Sequence, residues 1–202
     1  MKRGDFLNKK QFGITLILVL LMIILVTGEN MFTGNIKKVA LTNNNIEGLS
    51  TYTALDGLLT YKLPDSWDVE EKKYPGNYII YDNSFISDTM GLWGYVQILN
   101  SNDDLDKMVE KEKELISKND ISDYLVSDES LNDELVKKVV FKEKNQKGIT
   151  YVNTVYYKKL GENKIIKVLF SASESKQKED YSIIYKAIID SIEPVSYTHL
   201  TL

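Results

Sequence analysis

The 202-residue chain contains no cysteine. Disulfides and thiolate sites are therefore excluded, whatever the redox state of its compartment. Its only histidine, His199, stands close to the C-terminal end. No Gly-x-Ser-x-Gly, Gly-rich phosphate loop or metal-ligand spacing occurs anywhere in the sequence. An enzyme needs a poised acid, base or nucleophile, and only carboxylates, Lys, Tyr and Ser are left to supply one. The expectation is a protein that is not an enzyme, with no catalytic residue, no metal and no cofactor. A hydrolase using paired carboxylates stays open as the alternative, because such pairs are set by space and not by sequence.

What is present begins with one long apolar run, Phe12 to Thr27, behind a basic head carrying Lys2, Arg3, Lys9 and Lys10. As a helix its sixteen residues reach about 24 Å at 1.5 Å per residue. A hydrocarbon core is about 30 Å thick. Two readings compete. The run is a retained anchor with Lys9 and Lys10 snorkelling, or a signal peptide cut near Val26-Thr27-Gly28. Its length exceeds the usual h-region of about 7–15 residues and favours retention. Lys37 and Lys38 come only at a distance after it, so the N-terminus is expected in the cytoplasm. No cysteine stands after the run to carry a lipid. The expected organisation is a basic head at 1–11, an anchor or uncleaved signal at 12–28, and an exported remainder. This makes a single-pass cell-membrane protein whose partner is the membrane.

The formal charge is −4, and residues 1–28 hold four basic groups and one acidic, or +3, leaving −7 for the rest. A part that acidic is a poor match to nucleic acid or anionic lipid. Residues 29–57, with scattered apolar positions and three asparagines at 43–45, read as a loosely packed linker. The competing reading pairs Leu55 to Leu59 as an edge of the domain.

From residue 58 the pattern becomes regular. Leu58–Leu63, Trp67–Val69, Tyr78–Tyr81 and Leu92–Leu99 read as strands. Asp104–Lys118 reads as an amphipathic helix with Leu105, Met108, Val109, Leu115 and Ile116 on one face, and Glu112 as the exception on it. An acidic loop is expected at Ser127–Glu134. Leu135–Glu143, Ile149–Lys159 and Lys164–Ser173 then form a meander, and a helix over Lys178–Ile192 closes the domain. The order implies an α+β fold with a largely antiparallel sheet.

The opening Leu59-Thr-Tyr-Lys-Leu-Pro-Asp-Ser-Trp67, the meander and the closing Tyr181–Ile192 helix together resemble the PsbP-like family over residues 58–193. The resemblance implies an α/β/α sandwich. Plant members of that family support the oxygen-evolving photosystem, a eukaryotic relative binds a nuclear-transport GTPase, and many bacterial members are membrane-anchored. Their functions do not pass to this chain, because fold alone does not carry function.

Several constellations invite a site and are better explained by folding. Asn100, Asn102, Asp104 and Asp106 imitate a calcium loop, but Leu105 and Lys111 occupy the positions that need Gly and Glu; helix capping accounts for them. Asp128, Glu129, Asp133 and Glu134 read as a solvated acidic run. Trp67 is expected in the core. Trp93 and Tyr95 share one strand face, and whether that face is covered is open. Residues 194–202 break with the pattern before them. Val195-Ser-Tyr-Thr-His-Leu-Thr-Leu202 resembles a translated sequencing-library adaptor, which makes His199 foreign sequence. The functional expectation is a non-catalytic, membrane-anchored extracytoplasmic module for another envelope protein or a small ligand, with a purely structural spacer as a further alternative.

Overall fold

The computed structural model describes residues 9–132 and 134–195, apart from the side chains of 9–11 and 25–35. The adaptor-like residues 196–202, with His199, lie outside the described residues, as does Asp133. The chain divides into two compact units, Met1–Val39 and Ala40–Leu202.

Helix α1 (Lys9–Asn43) occupies the first unit and ends in the second. The large apolar side chains described between Phe12 and Ile24 are all exposed, so this part of the helix has no polar face to give to water. Among the described residues no helix is long and apolar enough to cross a membrane. The membrane-crossing segment expected over 12–28 is therefore not established.

The second unit starts at Ala40 and not at residue 58, because the asparagine run is a helix stop. Asn45 takes a left-handed φ of 55°. The Ile46 amide donates to the Leu41 carbonyl at 2.9 Å, and the Asn45 amide to that of Thr42 at 3.1 Å. This pair of bonds is the Schellman pattern, and the Leu41–Ile46 apolar pair that completes it lies on the core. Asn44 is buried and donates to the Asp180 carboxylate at 2.8 Å. Strand β1 (Leu49–Ala54) then pairs antiparallel with β2 (Leu59–Pro64). Residues 40–57 are thus domain and not linker.

The main sheet has seven strands. In chain order they are β3 (Asp68–Glu71), β4 (Ile79–Ser87), β5 (Leu92–Asn100), β6 (Ile121–Leu131), β7 (Glu134–Lys144), β8 (Thr150–Lys159) and β9 (Lys164–Ser173). Their order across the sheet is β3-β4-β5-β9-β8-β7-β6, and β1, β2 and β10 (Glu193–Pro194) form a second, smaller sheet. Every described pairing is antiparallel.

Strand β6 replaces most of the expected acidic loop. Its acids face lysines across the ladder: Asp128 meets Lys137 at 2.6 Å, and Glu129 meets Lys138 at 3.1 Å. Opposite charges on paired strands let a polar run hold a strand. β6 is also an edge, broken by a register shift between Ser122 and Leu125 where Asp123 has φ 54°. Such a break is a common protection against edge pairing.

Alternation along the strands gives two cores. Helix α3 (Tyr181–Asp190) and the small sheet cover one face through Ile184, Tyr185, Ile188, Tyr61 and Leu63. The Tyr185 ring stacks on Phe170 with centroids 4.0 Å apart. Trp67 is buried as expected, stacked on Phe85 at 4.9 Å. Helix α2 (Leu105–Ile116) covers the other face with Leu105, Met108 and Val109. Gly94 is glycine for space: a Cβ there collides with the Leu169 carbonyl and the Phe85 ring.

Candidate functional site

The most site-like feature lies at the end of the sheet where α2 begins. The N-terminal turn of α2, the β6–β7 turn, the β8–β9 turn and the β1–β2 hairpin meet around two hollows. One has a volume of about 450 Å³ and the other about 290 Å³. Both are bounded by Glu134, Lys158 and Lys159, so they adjoin. Leu135 and Leu58 stand at their rims, more than half exposed.

The charged groups of the larger hollow are mostly satisfied. Asp104 caps α2, its Oδ1 accepting the Lys107 amide at 2.8 Å. Asp106 and Asp128 both reach the Lys137 ammonium, at 2.7 and 2.6 Å. These two hydrogen bonds, Asp106 first, hold the Lys137 pKa above its usual value. Strand alternation sends Lys158 to the α3 face of the sheet. There it is buried and bound to Glu134 at 2.5 Å and to the Ile192 carbonyl at 3.4 Å. Lys159 and Lys164 differ. Among the described residues neither has a carboxylate partner, and they donate only to the Glu162 carbonyl (3.4 Å) and the Asn163 side chain (3.3 Å).

The other acids near the start of α2 and along β6 are dispersed. Asp103 pairs with Lys111 at 2.5 Å, and this bond, with a lesser one from Ser101, lowers its pKa. Glu129 is tied to Lys138 and Lys186, so the described part of the acidic run is ion-paired. No group of His, Cys, Asp or Glu able to hold a metal occurs among the described residues. Trp93 is 44 % exposed beside Ile86, its cross-strand neighbour, so this end of the aromatic face is uncovered. Tyr95 instead lies half-buried under the Lys167 ammonium, 5.5 Å from its ring centroid.

The α2 face also explains Glu112, the polar exception on the helix. Its carboxylate meets the Lys167 ammonium at 2.6 Å, with that side chain 9 % exposed. Burial pulls the Lys167 pKa down, but Tyr95 and Glu112 together outweigh it and leave the value raised. Sequence reasoning missed Lys158, Lys159 and Lys164 as groove residues. For Lys158 a signal existed, since alternation from Thr154 and Tyr156 points it inward. The other two gave none.

No family model matches the chain, and no curated protein is similar to it in sequence. Solved structures do match. The solution structure of cyanobacterial PsbP (CyanoP) from Synechocystis superposes with a TM-score of 0.54 at 13 % identity, over 74 % of this chain and 94 % of that one. The fold is therefore PsbP-like, as the resemblance over 58–193 implied. A Bacteroides thetaiotaomicron structure gives 0.49 at 9 % identity, over 73 % of this chain and 48 % of the other. LpqN, involved in cell envelope biogenesis of Mycobacterium tuberculosis, gives 0.40 at 14 % identity, over 73 % and 91 %. These last two superpositions are too loose to support an argument about fold.

Proposed function

We propose that the chain is a non-catalytic accessory module, held outside the cytoplasm by its N-terminal segment. In this reading an α/β/α sandwich presents the groove beside α2 to a small ligand or another envelope protein. The observation that carries it is the state of the groove's acids. Glu134 and Asp106 are bound to lysines and Asp104 is spent on a helix cap. Acids engaged in this way are not free to act on a substrate, while the exposed leucines beside them suit binding. The basic head before Phe12–Thr27 supports a cytoplasmic N-terminus and a membrane tether.

Co-purification of the full chain from solubilised membranes tests the reading, alongside Leu58→Glu/Leu135→Glu. A partner retained by the wild type and lost by the variant is expected. No reproducible partner, combined with no ligand-induced rise in melting temperature, removes it. Protease digestion of intact spheroplasts tests the placement, and a protected domain overturns it.

A second reading, hydrolysis by paired carboxylates, has one observation in its favour: Asp106 and Asp128 converge on Lys137. Both carboxylates are taken up by that one ammonium, whereas the mechanism needs two of them facing a substrate. Turnover of a glycoside substrate that disappears in Asp106→Asn would establish it.

A further inference from the structure

The two hollows differ in charge, and that difference names a ligand class. The assignment rests on the binding role proposed for the groove. Residues 40–195 hold 27 acidic and 19 basic side chains, a formal −8. Against that background the smaller hollow carries three lysines (158, 159 and 164) and one glutamate (134), or +2. Lys158 is already neutralised by Glu134, which leaves the ammonium groups of Lys159 and Lys164 without a counter-charge among the described residues. The remaining wall is apolar: Leu55, Leu58, Leu59, Leu160 and Pro194, with Gly161.

We propose that this hollow binds a medium-chain fatty carboxylate, its head on Lys159 and Lys164 and its chain along Leu55, Leu58, Leu59 and Leu160. Charge complementarity selects an anion, and the leucine wall selects an alkyl body. A peptide fits less well. It brings N–H and C=O groups that need partners, and the lining side chains include no amide and no hydroxyl. Pro194 has no N–H to offer either. The volume of about 290 Å³ lies at the lower edge of small-molecule pockets, roughly 300–1,000 Å³, which suits a short chain. Leu55 is held at φ 53° on the hairpin corner, a costly conformation for leucine of the kind found at ligand sites.

The test is photolabelling of the full chain in lipid nanodiscs with decanoate bearing a terminal diazirine. Saturable labelling of the peptides around Leu58 and Leu160 is expected, displaced by unlabelled decanoate but not by equal decanol. Lys159→Glu/Lys164→Glu should cut it at least tenfold. Leu58→Ser should do the same from the apolar side, and melting curves of both variants verify that the domain stays folded. Labelling that survives the lysine reversal, is displaced equally by decanol, or falls only within 12–24 overturns the proposal. If it is overturned while the partner is still captured from membranes, the fatty-carboxylate assignment falls and the binding reading stands.

Discussion

Glu112 and Lys167 form the pair whose removal should be most informative about how the sheet and α2 are held together. The two groups meet at 2.6 Å with side chains 21 % and 9 % exposed, the ammonium lying over the rings of Tyr95 and Tyr157 at 5.5 and 5.9 Å from their centroids. Glu112→Gln keeps the shape and removes the charge. The Lys167 ammonium is then left in a site that water scarcely reaches. Breaking one side of such a pair costs about 3–5 kcal/mol, and for a domain of this size each kcal/mol moves the midpoint by about 2–4 °C. A drop on the order of 10 °C is expected in thermal melts followed by circular dichroism. Glu112→Leu/Lys167→Met removes both charges and should recover most of the loss, because a buried pair gains little net stability over an apolar replacement. Lys167→Met alone strands a carboxylate that is more exposed, so it should cost less than Glu112→Gln. The reasoning fails if Glu112→Gln melts within a degree of wild type, or if the double variant loses as much as the two singles together.

Burial raises the pKa of Tyr61, Tyr156, Tyr157 and Tyr185. Above about pH 10 the unfolded chain loses phenolic protons that the folded one keeps, so stability is full below that pH and falls above it. Tyrosinate absorbance should therefore rise together with loss of ellipticity in one step; buried tyrosines that titrate near pH 10 with the fold intact would contradict this. Gly94→Ala forces a methyl against Leu169 and Phe85 and should cost at least about 1–3 kcal/mol in chemical denaturation, where an unchanged midpoint would show that the strands can part. Ile188, 1 % exposed in α3, should not tolerate Asp, and a soluble, cooperatively melting Ile188→Asp would refute the docking of that helix. Deleting 196–202 should leave the melting point unchanged, since the strand and helix patterns of the sequence end before them; a fall of several degrees would show that the tail packs.

The parts of the fold that were legible in the sequence are those where one physical rule acts alone. The closing helix shows 3.6-residue periodicity because only one of its faces meets the sheet. The meander shows as β-rich runs between turn formers, and successive side chains of β8 and β9 go to the two cores in turn, so both strands are buried on both faces. The segments that misled are those where two rules compete. Asn43-Asn-Asn45 has the composition of a linker, yet an asparagine tolerates the left-handed corner that ends a helix. Asp128 and Glu129 have the composition of a loop, and become strand because Lys137 lies directly opposite Asp128 and Lys138 diagonally across from Glu129. That information sits on another strand and no local window contains it.

The site was less legible for a related reason. Its residues come from four separate connections, and along the sequence Leu58, Leu135, Lys159 and Lys164 do not differ from ordinary surface leucines or lysines. What sets Lys159 and Lys164 apart is the carboxylate partner that Lys158 has and that they lack among the described residues. That contrast exists only after Glu134 has been brought against Lys158 by the β6–β7 turn. Glu112 is the informative counter-example. It stood out in the sequence as a charge on an apolar face, and such a violation needs a buried partner or a special role. The structure supplies the partner in Lys167, three strands' length away in sequence but one hydrogen bond away in space. A polar residue out of pattern therefore pointed correctly to a buried interaction, whereas Lys159 and Lys164, which break no pattern, gave no warning.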